Sequence, residues 1–83
     1  MIYTDKDSIR TFCIDDTENE DYVWHRDLEN REITVLEGKN WQFQEEDALP
    51  RFINIGDSFK INKLIWHRII PGSSSLKIHI KEF

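Results

Sequence analysis

The stretch GDSFKINKLIWHR, residues 56–68, opens on a glycine that suits a turn and then alternates Phe59 and Ile61 as a strand does. A short loop follows, and a second strand-like run goes from Trp66 to Ile70. Such a loop turns His67 back towards the sheet the chain has just left. Its counterpart upstream is YVWHRDLENREITVLEG, residues 22–38, in which His25 and Asp27 stand two apart and so share one face of a strand. Two imidazoles and a carboxylate are thereby expected to meet inside one barrel.

Working outward, the rest of the chain keeps the same period. Ser8 to Ile14 reads as a first strand, with Cys13 as a packed thiol. Asp15 to Asp21, DDTENED, lacks the glycine and terminal glutamate of a calcium loop and reads as a solvated acidic connection. Gly38-Lys39-Asn40 is expected to form a hairpin turn into Trp41 to Gln44, where Trp41 and Phe43 alternate with Gln42 and Gln44. Pro50 sits near the start of a run from Phe52 to Ile55, and Pro71 to Ser75 makes another turn. Beyond it Leu76, Ile78 and Ile80 alternate with Lys77, His79 and Lys81, which puts His79 on the solvated face. No segment sustains a helical period, and strand-like runs recur at intervals of roughly ten residues, as an all-β fold requires. The expected architecture is one small jelly-roll β-barrel spanning residues 1–83, since 83 residues are too few to divide.

Charge and composition exclude several classes of function. A net charge of −5 gives no basic patch for nucleic acid or anionic lipid, so neither is an expected partner. No apolar run approaches the roughly 20 residues of a membrane helix. The N-terminal MIYTDKDSIR lacks the apolar core of a signal peptide, and a single cysteine forms no intrachain disulfide, so a cytoplasmic location is expected.

These residues resemble the cupin superfamily, small β-barrels marked by two motifs. The first reads histidine, any residue, histidine, three or four residues, glutamate, six residues, glycine. Here His25 matches the first histidine, Asp27 stands in place of the second, and Val35-Leu36-Glu37-Gly38 matches the strand end. Counting back from Gly38 reaches Arg31 where the family has its glutamate; Arg31, Ile33 and Val35 then face inward and Glu32 outward unless a bulge intervenes. The second motif reads glycine, five residues, proline, any residue, glycine, two residues, histidine. Gly56 and His67 keep that spacing, while Asn62 and Leu64 replace the proline and the second glycine. The resemblance covers Val23 to His67, about half of the chain.

The resemblance implies a divalent metal (iron, manganese, nickel or zinc) held by His25, Asp27 and His67, a ligand set known from non-haem iron sites. Arg31 opposes it, because a fixed cation about 4 Å from a metal costs several kcal/mol even at an effective dielectric near 20. The opposing reading is an Asp27–Arg31 ion pair beside two neutral histidines in a metal-free pocket, with Arg31 suited to a small anion. Three functions follow: a metal-dependent enzyme acting on a small organic acid or sugar, with Gln42 or Gln44 touching the substrate; a non-catalytic protein binding a carboxylate or phosphate through Arg31; and an accessory protein that works through its outer surface. No nucleophile–base pair or phosphate loop identifies a catalytic residue.

The triplet Trp-His-Arg occurs twice, at 24–26 and 66–68. With both histidines inward, Trp24, Arg26, Trp66 and Arg68 share the outer face. A contiguous Trp/Arg patch is what interface cores are enriched in, so a homodimer packed on this face is expected. The alternative is that Met1 to Thr4 cover it.

Overall fold

The computed structural model describes residues 7–16 and 18–83. Among the described residues seven strands are formed: β1 Asp7–Phe12, β2 Arg31–Glu37, β3 Gln42–Glu45, β4 Arg51–Phe52, β5 Ser58–Ile61, β6 His67–Ile70 and β7 Leu76–Glu82. A 3-10 turn, Glu20–Tyr22, is the one helical element among the described residues, and it is far too short to cross a membrane.

One sheet has the order β1-β7-β2-β5 and the other β4-β3-β6, with every pairing antiparallel. An isolated bridge between His25 and His67 extends the second sheet by one more short stretch. With that stretch as the second of eight, first pairs with last, second with seventh, third with sixth and fourth with fifth. This is the double-sheet jelly roll, so the all-β expectation holds.

The core forms because period two keeps one face apolar. In β2 Ile33 and Val35 are buried, and in β7 Leu76, Ile78 and Ile80 are buried. With Phe12, Trp41, Phe43, Ile53 and Ile61 they make one apolar cluster between the sheets. His67 is the one polar residue among the described residues buried as deeply as this cluster.

Three local expectations are corrected. Gly38 to Asn40 does not close a hairpin: β2 already has β5 on one side and β7 on the other, so no edge is left for β3. The turn instead carries the chain between sheets and places the fully buried Trp41 across the barrel, where its Nε1–H donates to Ser74 O at 2.6 Å. Gly72 lets this crossing seat, since a Cβ there would lie 2.1 Å from Lys39 O. Cys13 is exposed rather than packed, because β1 ends at Phe12 and the chain turns away. The strand expected over Phe52 to Ile55 shrinks to Arg51–Phe52, and beyond it only Ile53 turns inward. On the outer face of β7, His79 has a carboxylate neighbour, with Nε2 3.6 Å from Asp7 Oδ1.

Candidate metal centre

His25 and His67 are joined by the backbone before their side chains meet. His25 N–H donates to His67 O at 3.0 Å and His67 N–H to His25 O at 2.8 Å. A residue pair bonded in both directions sends its side chains to the same face. The rings stand edge to face with centroids 4.3 Å apart.

Each imidazole is oriented by the same device. Nδ1 of His25 lies 2.8 Å from Val23 O, and Nδ1 of His67 lies 2.8 Å from Ile65 O. A carbonyl only accepts, so Nδ1 carries a hydrogen in both rings, and in a neutral ring so anchored Nε2 keeps the lone pair. Burial pushes His67 below the ordinary histidine value; the bond to Ile65 and the Asp27 carboxylate act against this, while His25 and Arg31 reinforce it. A neutral ring at position 67 is the result.

Asp27 completes the group. Its side chain is 12% exposed, and Oδ2 lies 3.2 Å from His67 Nε2. That approach does not meet hydrogen-bond geometry, and Oδ2 is buried without a hydrogen-bond partner. A ring nitrogen and a carboxylate oxygen thus lie 3.2 Å apart away from bulk solvent, an arrangement that costs free energy until something positive lies between them. One ligand atom from each of His25, Asp27 and His67 fits within 4.8 Å of the others. The backbone also holds Asp27 in place, because its carbonyl accepts from Leu64 N–H at 2.8 Å.

Arg31 lies inward, as the register requires, and Nη1 is 3.2 Å from Asp27 Oδ1. Its Nε is 3.4 Å from Glu82 Oε2, a partner the sequence does not announce because it is brought in by β7. The bulge in β2 falls between Val35 and Glu37, too far along to bring Glu32 inside. A matching arrangement stands on the other side of the histidines. Asp21 Oδ1 is 3.2 Å from His25 Nε2, and Asp21 Oδ2 takes Arg10 Nη1 at 3.0 Å. Each histidine therefore faces a carboxylate that an arginine holds from behind. Neither Asp21 nor Arg10 stands out in the sequence of the acidic loop and the strand before it. The i,i+4 spacing of Asp21 and His25 is the one signal that pointed to them.

Gln42 and Gln44 do not belong to the site. Period two in β3 gives the inward face to Phe43, flanked by Trp41, and sends both glutamines outward. Gln44 is engaged there with Arg68 Nε and with Ala48 O. Behind the histidines an interior cavity of about 40 Å³ is lined by Asp21, His25, Arg31 and His67 and by core residues such as Phe43 and Ile78. It has room for an ion or a few waters and falls far short of the roughly 300 Å³ of an ordinary ligand pocket.

Trp24, Arg26, Trp66 and Arg68 form one outer patch. The Arg26 guanidinium sits 5.1 Å from the Trp66 ring centre, and that of Arg68 sits 5.0 Å from the Trp24 ring centre. These are reciprocal cross-strand stacks. Met1 to Thr4, the alternative cover for this face, lie outside the described residues.

No family model and no curated protein matches the chain. Among solved structures, that of protein NMB1881 from Neisseria meningitidis is similar, with a TM-score of 0.69 and 17% identity over 99% of this chain and 78% of the other. At that identity the likeness is one of fold.

Proposed function

We propose that the protein is a cupin-like barrel that binds a divalent cation through His25 Nε2, His67 Nε2 and a carboxylate oxygen of Asp27. The observation that carries this reading is the buried Asp27 Oδ2, without a hydrogen-bond partner and facing a lone-pair nitrogen whose ring is anchored at Nδ1 by a main-chain carbonyl. Metal-ligating histidines are commonly anchored in this way. Two imidazoles and a carboxylate suit iron, manganese, nickel or zinc. A cation there would supply Lewis acidity or an activated water at its open positions.

The objection from Arg31 weakens in the assembled site. Three carboxylates, Asp21, Asp27 and Glu82, stand against two guanidiniums, Arg10 and Arg31, which leaves one net negative charge around the histidines. The same pairs weaken the alternative of a metal-free anion site, because Asp27 and Glu82 already occupy the Arg31 fork. The small cavity restricts an enzyme reading to substrates of a few atoms or to ones that bind at the mouth.

Support for the cupin reading comes from Leu64. It occupies the family's second glycine position and adopts φ 65°, the left-handed conformation that glycine supplies without strain. A leucine held in a glycine-like conformation at that position supports the resemblance. A cytoplasmic location belongs to the same proposal, and an exposed free thiol at Cys13 suits a reducing compartment.

Equilibrium dialysis against each of Fe2+, Mn2+, Ni2+ and Zn2+, followed by elemental analysis, tests the reading. Wild type should retain one of them stoichiometrically, and His25→Ala and His67→Ala should retain none. Wild type that retains no cation overturns it.

A further inference from the structure

The outer patch has a direction. In the β3–β6 register Gln44 lies opposite Arg68 and Glu45 opposite His67, and Glu46 N–H donates to Trp66 O. Across the His25–His67 bridge, Arg26 is stacked on Trp66. One row therefore runs across the sheet as Arg26, Trp66, Glu46, from a guanidinium at the sheet edge, over an indole, to the acidic turn of Glu46 and Asp47. Beside it runs a second row, Trp24, Arg68 and Gln44, tied by stacking and by the Arg68–Gln44 hydrogen bond. Trp24 and Trp66, together with Leu49, which is 87% exposed, border a groove against that turn.

We infer that this face binds a second copy of the chain, and that the pair is held by Arg26 of each copy over Glu46 of the other. A homodimer with a two-fold axis needs a surface complementary to itself. A row that is positive at one end and negative at the other has that property: rotation by half a turn about an axis lying in the interface and perpendicular to the row lays it antiparallel on its own copy. Arg26 then meets Glu46 twice, and the indoles and Leu49 fill the middle. A purely acidic or purely basic partner would match one end of the row and be repelled by the other. The molecule measures 30 × 29 × 23 Å, so one whole side of it, the short sheet together with the loops around it, spans close to the roughly 800 Å² per partner of a stable interface.

Charge reversal tests this on the full-length protein. Sedimentation equilibrium at tens of micromolar should give twice the 10.0 kDa of one chain for wild type. Arg26→Glu alone and Glu46→Arg alone should each weaken the dimer by about tenfold or more, because like charges then meet at both ends. The double variant Arg26→Glu/Glu46→Arg should dimerise like wild type. Both positions are exposed, so circular dichroism should show every variant folded. A monomeric wild type, single variants that dimerise unchanged, or a double variant that stays dissociated would each overturn the inference.

Discussion

His25 and His67 are related by a local two-fold. They exchange both main-chain hydrogen bonds, each sends Nδ1–H to the carbonyl two residues upstream, and each turns Nε2 towards a carboxylate that an arginine holds. A bonded strand pair fixes the two backbones, and the two anchors fix the ring planes. The fold itself therefore holds one ligand atom each of His25, Asp27 and His67 within 4.8 Å of the others, the preorganisation that the proposed metal site would need.

Arg31 should limit the affinity of the proposed cation site. Arg31→Glu removes a cation next to Asp27 and leaves a third carboxylate beside Asp27 and Glu82. Calorimetric titration should show cation binding at least about tenfold tighter than wild type, while the cation-free variant melts lower because like charges crowd a partly buried place. Equal or weaker binding would mean that Arg31 does not face the cation.

Leu64 stores strain. It sits at φ 65° and is 48% exposed, so its side chain contributes little packing there. Leu64→Gly should raise stability by about 1 kcal/mol in denaturant titration, the left-handed penalty exceeding the lost burial. A loss of stability would show that the leucine packs more than its exposure indicates.

The crossing at Trp41 should be intolerant of bulk. In Gly72→Ala the new Cβ would meet main-chain atoms of Lys39 and Asn40, which cannot swing aside as a side chain can. We expect a loss of about 3 kcal/mol or more, near the upper end for overpacking. A loss under about 1 kcal/mol would show that the two loops part easily.

Tyr22 makes folding sensitive to alkali. It packs with Phe12 and Trp41, and its phenol is raised above 10.0 by burial first and then by Asp16, Cys13 and Asp21. The folded state thus holds the proton more tightly than the unfolded one, so the associated stability is present below pH 10.0 and is lost as pH rises beyond it. Thermal melts from pH 8 to 11 should show a smaller alkaline drop in Tyr22→Phe; identical drops would contradict the assignment.

What was legible in the sequence was whatever depends on near neighbours. Ile33 with Val35, and Leu76 with Ile78 and Ile80, declare their inward faces by spacing alone. The meeting of His25, Asp27 and His67 was readable because two short strands and one loop determine it. Long-range partners were not readable. Glu82 reaches Arg31 only because β7 lies beside β2, and Arg10 reaches Asp21 across the end of β1. Gly38 to Asn40 looks like a hairpin turn in any local window, and only the occupancy of both edges of β2 forbids one. The amides of Gln42 and Gln44 suit a pocket by their chemistry, whereas the bulk of Trp41 and Phe43 decides which face of β3 is buried.

Nitrogen-15 spectra of the histidine side chains during addition of Zn2+ test the central claim most directly. Without zinc, the ring at position 67 should show the tautomer protonated at Nδ1, as the bond to Ile65 O requires. On addition of one equivalent, the Nε2 resonances of both His25 and His67 should shift together and saturate together, while His79, on the outer face, stays in place. Resonances of His25 and His67 that do not move, or that move no more than that of His79, would contradict a shared metal centre.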